Sequence, residues 1–165
     1  MKRGQSKNIR PTRRSTSLLS VAKRCAIKSR SAGYHLIART GIDRLTQGLS
    51  PWGVPVVCVH KFLALVTNPK IFKQAMPRAL TFQQIGALRA LAGARLLMPT
   101  DRHLAVLGQL AESAQTVGAQ FHEARIAAIC IENGVTTLWT ADRDFSAYPQ
   151  LPFQSPKDLV TAQGS

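Results

Sequence analysis

From about residue 41 onward, helical stretches alternate with short apolar, β-rich runs, and this alternation constrains the fold more than any other feature of the sequence. Strands separated by helices cannot pair as hairpins. They return to the same sheet by crossover and lie parallel. The clearest unit stands near the C-terminal end. Ala124, Ala127, Ala128 and Ile131 recur at helical spacing as far as Gly134, a residue suited to the left-handed position that closes a helix. Residues 135–139 follow as a β-branched and aromatic strand ending at Trp139. The predicted class is therefore α/β, an α/β/α sandwich around a central parallel sheet.

The remaining elements are read in the same way. Residues 42–49 form a short helix closing near Gly48, and Pro51-Trp52-Gly53-Val54-Pro55 a loop. Residues 56–59 read as a short strand, and 61–67 as a helix stopped by Asn68-Pro69. Thr81 and Gln84 have capping-box spacing ahead of an apolar stripe at Ile85, Leu88, Leu91 and Ala92. A strand over 95–98 ends at Pro99, and Thr100 or Asp101 then caps a helix with Leu104, Leu107, Leu110 and Ala111 on one face.

The charge is unevenly placed. The net +14 of the 165-residue chain is concentrated in residues 1–44, which hold twelve of its 22 Lys and Arg but only Asp43 of its eight acids. Residues 1–40 thus stand apart as a basic segment. They are read as a disordered tail rather than an evolved nucleic-acid arm, since the arginines are scattered and Tyr34 alone offers no stacking platform. Within the segment, Leu18, Leu19, Val21, Ala22 and Ala26 suggest an amphipathic turn or two, and residues 34–38 a strand. No apolar run approaches the length of a membrane span, and no secretory signal pattern is present. Cys25, Cys58 and Cys130 are odd in number, widely spaced and set among apolar residues, as reduced thiols in a cytoplasmic protein would be.

The chemistry centres on Thr140-Ala141-Asp142-Arg143-Asp144-Phe145. Asp142 and Asp144 sit just past the carboxyl end of a parallel strand, the edge at which open α/β sheets bind ligands. Glu123, in the first turn of the preceding helix, is a third carboxylate for the same place. Carboxylates brought together repel one another unless a cation joins them. Mg²⁺ or Mn²⁺ would remove that cost, polarise a phosphate and activate water. Taken singly, each acid has an ordinary structural reading, as a turn residue or a helix-start charge. His122 reads as a hydrogen-bond partner, Arg125 and Arg143 as phosphate contacts or salt-bridge partners, and Trp139 and Phe145 as core anchors. His60 and His103 have no recognisable partner.

Residues 118–128, Asn133-Gly134-Val135, the Thr140–Phe145 segment and Tyr148-Pro149-Gln150-Leu151 together resemble the C-terminal half of a PIN domain, in particular the VapC toxins of VapBC toxin–antitoxin pairs. Residues 62–72 resemble the middle helix and loop of the same subfamily, and Trp52-Gly53-Val54-Pro55 the segment before it. The resemblance spans roughly residues 42–160, so residues 41–165 are expected to form the PIN-like domain. It implies a Mg²⁺- or Mn²⁺-dependent endoribonuclease, a homodimer, inhibited by a VapB-like antitoxin. It further implies that Glu123 and Asp142 hold the metal, with Asp144 and Thr140 supporting the site. The departures are specific. The family's apolar-Asp-x-Asn first strand has no counterpart before Asp43, Lys61 stands where an acid precedes Phe62-Leu63, and Glu123 replaces an aspartate. The resemblance thus leaves two readings, a ribonuclease with an eroded site or a non-catalytic module that binds antitoxin or RNA.

Overall fold

The computed structural model describes residues 16–19, 32–48, 50–155 and 158. Five parallel strands form one sheet: β1 (Thr16–Leu19), β2 (Trp52–Pro55), β3 (Ala94–Leu97), β4 (Val135–Trp139) and β5 (Phe153–Gln154), in the order β3-β2-β1-β4-β5. The helices are α1 (Ala32–Gln47), α2 (Val56–Val66), α3 (Arg78–Ala90), α4 (His103–Ser113) and α5 (Phe121–Glu132). Short 3₁₀ turns at Gly118–Gln120 and Arg143–Ala147 flank α5 and β4. This is the expected PIN-like α/β/α arrangement. β1 is central, with Leu18 opposite Gly53 on one side and Leu138 on the other.

Two apolar clusters hold the helices to the sheet. The larger joins Cys58 of α2, Val106 and Leu110 of α4, most of α5, and Val135 and Leu138 of β4. Five consecutive buried side chains of α5, Ile126 through Cys130, run through it, with Ala127 and Ala128 allowing close approach and half-buried Ile131 packed against it. The smaller cluster gathers Leu45 of α1 and Leu88 of α3 around Trp52, which is fully buried and donates its indole N–H to the Ala92 carbonyl at 2.8 Å. Gly53 is required by packing, because a Cβ there would stand 2.8 Å from Leu97 Cδ2 and 3.0 Å from the Arg95 carbonyl. Gly134 is required by conformation, since its φ of 72° is where helix α5 turns into β4.

Several sequence expectations are met: β3, α4, α5, the Gly134 cap and β4. Others are corrected. Residues 34–38 lie in α1, not a strand, and the helix expected over 42–49 is the second half of α1. Leu18 and Leu19 belong to β1 rather than to an amphipathic turn, while Val21, Ala22, Cys25 and Ala26 lie outside the described residues. The strand expected at 56–59 is the start of α2, and the strand itself is Trp52–Pro55. α3 begins after Pro77 rather than at Thr81, whose hydroxyl donates back to the Pro77 carbonyl at 3.0 Å.

Candidate functional site

A sheet of order 3-2-1-4-5 reverses its winding between β1 and β4, and ligands enter such sheets at the carboxyl end of that junction. Thr140 and Asp142 leave β4 there. The first turn of α5 reaches the same edge, because a helix connecting parallel strands runs antiparallel to them.

The segment after β4 is held residue by residue. Thr140 N–H donates to the Gln154 carbonyl at 3.0 Å, which continues the ladder with β5. The Thr140 hydroxyl accepts from Asp142 N–H at 3.1 Å, and Asp142 Oδ1 accepts from Asp144 N–H at 3.2 Å, capping the 3₁₀ turn Arg143–Ala147. Phe145 and Tyr148, both buried, anchor that turn edge to face with centroids 6.5 Å apart. The Tyr148 hydroxyl reaches the Gln120 carbonyl at 3.5 Å, just before α5 begins, and lies 3.4 Å from the Thr116 hydroxyl. The entry to Glu123's helix is thereby tied to the turn that carries the aspartates, and α5 packs against the turn.

Thr140, Asp142 and Glu123 are buried, with 2, 4 and 6% of their surfaces exposed, whereas Asp144 is exposed. Asp142 thus follows β4 at the ligand-binding edge of the sheet, and Glu123 stands in the first turn of α5, which packs against the turn after β4. His122 Nδ1 accepts from Arg125 Nη2 at 2.9 Å, which places its ring proton on Nε2 and makes it the structural partner expected. Arg125 Nε is buried without a hydrogen-bond partner among the described residues. Arg143 is exposed and lines a cavity of about 630 Å³ beyond the ends of β4 and β5, shared with Thr140, Phe153 and Gln154. Phe145 is a core anchor as expected; Trp139 is half-buried and packs with the smaller cluster.

β1 brings no acid to the junction, its residues being Thr16, Ser17, Leu18 and Leu19. Lys61 is half-buried on α2, which leaves the same sheet edge. Among the described residues, no group of three or more His, Cys, Asp or Glu side chains converges as a metal site. The donors present, two buried carboxylates, match the sparse way Mg²⁺ is commonly held, through one or two carboxylates with waters and substrate phosphate. Sequence reasoning missed Tyr148 as the tie between turn and helix, and also the pairing of His103. The latter's Nδ1 lies 2.8 Å from Oε1 of Glu132, 29 residues away.

The fold and the acid-bearing junction define a PIN-like nuclease architecture. No family model matches the sequence. The chain is nevertheless 32% identical over 127 residues to VapC ribonuclease Mb2897 of Mycobacterium bovis, a match covering 77% of this chain and 86% of the relative. It is also 32% identical over 114 residues to ribonuclease VapC25 of Mycobacterium tuberculosis, covering 69 and 80%. Among solved structures it superposes on VapBC2 from Rickettsia felis bound to a promoter DNA fragment, with a TM-score of 0.59 at 13% identity, covering 85% of this chain and 98% of that one. VapBC-1 from nontypeable Haemophilus influenzae gives a TM-score of 0.57 at 15% identity, with 86 and 98% covered. The chain belongs to the VapC ribonuclease family.

Proposed function

We propose that this protein is a VapC-type toxin that cleaves RNA endonucleolytically with Mg²⁺ or Mn²⁺, in the cytoplasm, and that a VapB-like antitoxin restrains it. The observation that carries the reading is that Glu123 and Asp142 are both buried on elements that pack together, with the Asp142 N–H bound by Thr140 and its carboxylate capping the turn Arg143–Ala147. Glu123 and Asp142 would hold the cation, which supplies charge neutralisation at the scissile phosphate and a more acidic water. The chain's own part is positioning. The Thr140 hydroxyl fixes the Asp142 backbone, Tyr148 fixes α5 relative to the turn, and exposed Asp144 faces the solvent from which water and substrate arrive. With no carboxylate on β1 and a lysine at position 61, the ligand set is poor and weak cation binding is expected.

The partners follow from the family. Leu80 and Phe82 of α3, with Ile71 before it, expose apolar surface of the kind a peptide partner covers, which supports an antitoxin contact. Homodimerisation is carried over from the resemblance.

The depleted site favours a second reading, a PIN-fold module that binds antitoxin or RNA without cutting. Purified protein incubated with structured RNA and Mg²⁺ or Mn²⁺, beside EDTA and Asp142→Asn controls, decides between them. Cleavage abolished in both controls is the expected outcome. Identical traces in all three would leave the binding module alone standing.

A further inference from the structure

The cavity beyond β4 and β5 is distinct in character from the buried acids beside it. Its volume of about 630 Å³ falls within the range of small-molecule sites, roughly 300–1,000 Å³. Its lining combines a cation, an aromatic ring, an amide and a hydroxyl: Arg143, Phe153, Gln154 and Ser146. Arg143 makes no ion pair or hydrogen bond among the described residues, so its guanidinium is available. Arg143 lies between Asp142 and Asp144, and Thr140 is shared by cavity and site, so a ligand in the cavity would adjoin the carboxylates.

We propose that this cavity is a nucleotide subsite, which receives one unpaired nucleotide of the RNA next to the phosphodiester presented to Asp142. This rests on the ribonuclease reading and deepens it. Arg143 binds the flanking phosphate through its forked donors. Phe153 offers a ring surface to the base, and the Gln154 amide, both donor and acceptor, reads a base edge. A base must leave its stack to enter, which confines the substrate to single-stranded or looped RNA.

Binding and cutting are measured separately on the full chain. A fluorescein-labelled, unstructured RNA 12-mer is titrated in EDTA by anisotropy, and the same oligonucleotide is then incubated with Mn²⁺. Arg143→Gln and Gln154→Ala, both exposed positions, are compared with wild type and with Arg78→Gln, which removes an equivalent charge from exposed α3. Arg143→Gln should weaken binding about tenfold and lower the slope of log affinity against log salt by about 0.7, the effect of one phosphate contact on a single strand. Gln154→Ala should weaken binding unequally among oligonucleotides of different base composition, and Arg78→Gln should stay within about twofold. If Arg143→Gln binds no worse than Arg78→Gln, or wild type binds no RNA, the subsite is overturned. If wild type binds in an Arg143-dependent way yet cuts nothing with Mn²⁺, the nuclease reading fails while the subsite stands.

Discussion

Asp142 serves two purposes with one carboxylate. Its Oδ1 caps the turn through Asp144 N–H, and the same carboxylate is the one proposed to hold the cation. The cap was legible in the sequence as a turn-forming aspartate. Its burial was not, because burial is set by tertiary packing that no local pattern displays. Cys130 illustrates the opposite case, a reactive residue type made inert. It is fully buried in α5, and desolvation, with Cys58 and Glu132 nearby, holds its thiol well above the ordinary value of 9.0. Native protein at pH 8 should therefore leave Cys130 unalkylated by iodoacetamide, and labelling should appear on unfolding in urea, as read by peptide mass spectrometry. The sign for stability follows. A raised folded-state value leaves this thiol's contribution intact below about pH 9 and erodes it at higher pH, where only the unfolded chain ionises. Labelling in the native state at the unfolded rate would contradict this.

At the scale of elements, legibility tracked length and punctuation. α5 and β4 were readable because a long periodic stripe, a glycine and a β-branched run agree with one another. Residues 56–59 misled because Val56, Val57 and Val59 look like a strand, yet they follow Pro55, which ends β2 and stands at the N-cap of α2. A short apolar run carries no period of its own, so the proline decides. The α1 error has the same origin, since five apolar or aromatic-flanked residues fit either state until the flanking helix is known. What no local pattern could reveal is the clasp between α4 and the end of α5. Glu132, whose side chain is 1% exposed, accepts from the Thr100 hydroxyl at 2.8 Å and pairs with His103 at 2.8 Å. Truncation at Glu132→Ala leaves the half-buried His103 and the Thr100 hydroxyl without their acceptor and should lower unfolding free energy by about 1–3 kcal/mol in urea titrations. Glu132→Gln, which keeps an acceptor, should recover part of the loss. Equal stability of Glu132→Ala and wild type would show that the clasp contributes nothing.

Over the whole molecule, the charge and the candidate site belong to different stretches of the sequence. Residues 1–44 carry a net +11, whereas the remaining 121 residues carry only +3, and the junction acids belong to that mildly basic remainder. The sequence displayed this division plainly, and it displayed the missing first acid. It did not display that Thr16–Leu19 would occupy the centre of the sheet, because four residues without an acid or a turn signal give no strand signature of their own. A basic segment ahead of a site acts on any nucleic acid through counterion release, which raises affinity without selecting a sequence. Base contacts in a subsite select without adding much charge. The two contributions should therefore separate on substitution. Replacing Lys2, Arg3, Lys7, Arg10, Arg13 and Arg14 together by glutamine should weaken RNA association and flatten its salt dependence between 50 and 200 mM, with the positions of cleavage on a sequencing gel unchanged. Arg143→Gln should do the reverse, with a small loss of salt dependence and a redistribution of the cuts. Should the six-residue variant instead move the cleavage positions, the basic segment would be taking part in substrate selection, and the division of labour between charge and site would have to be abandoned.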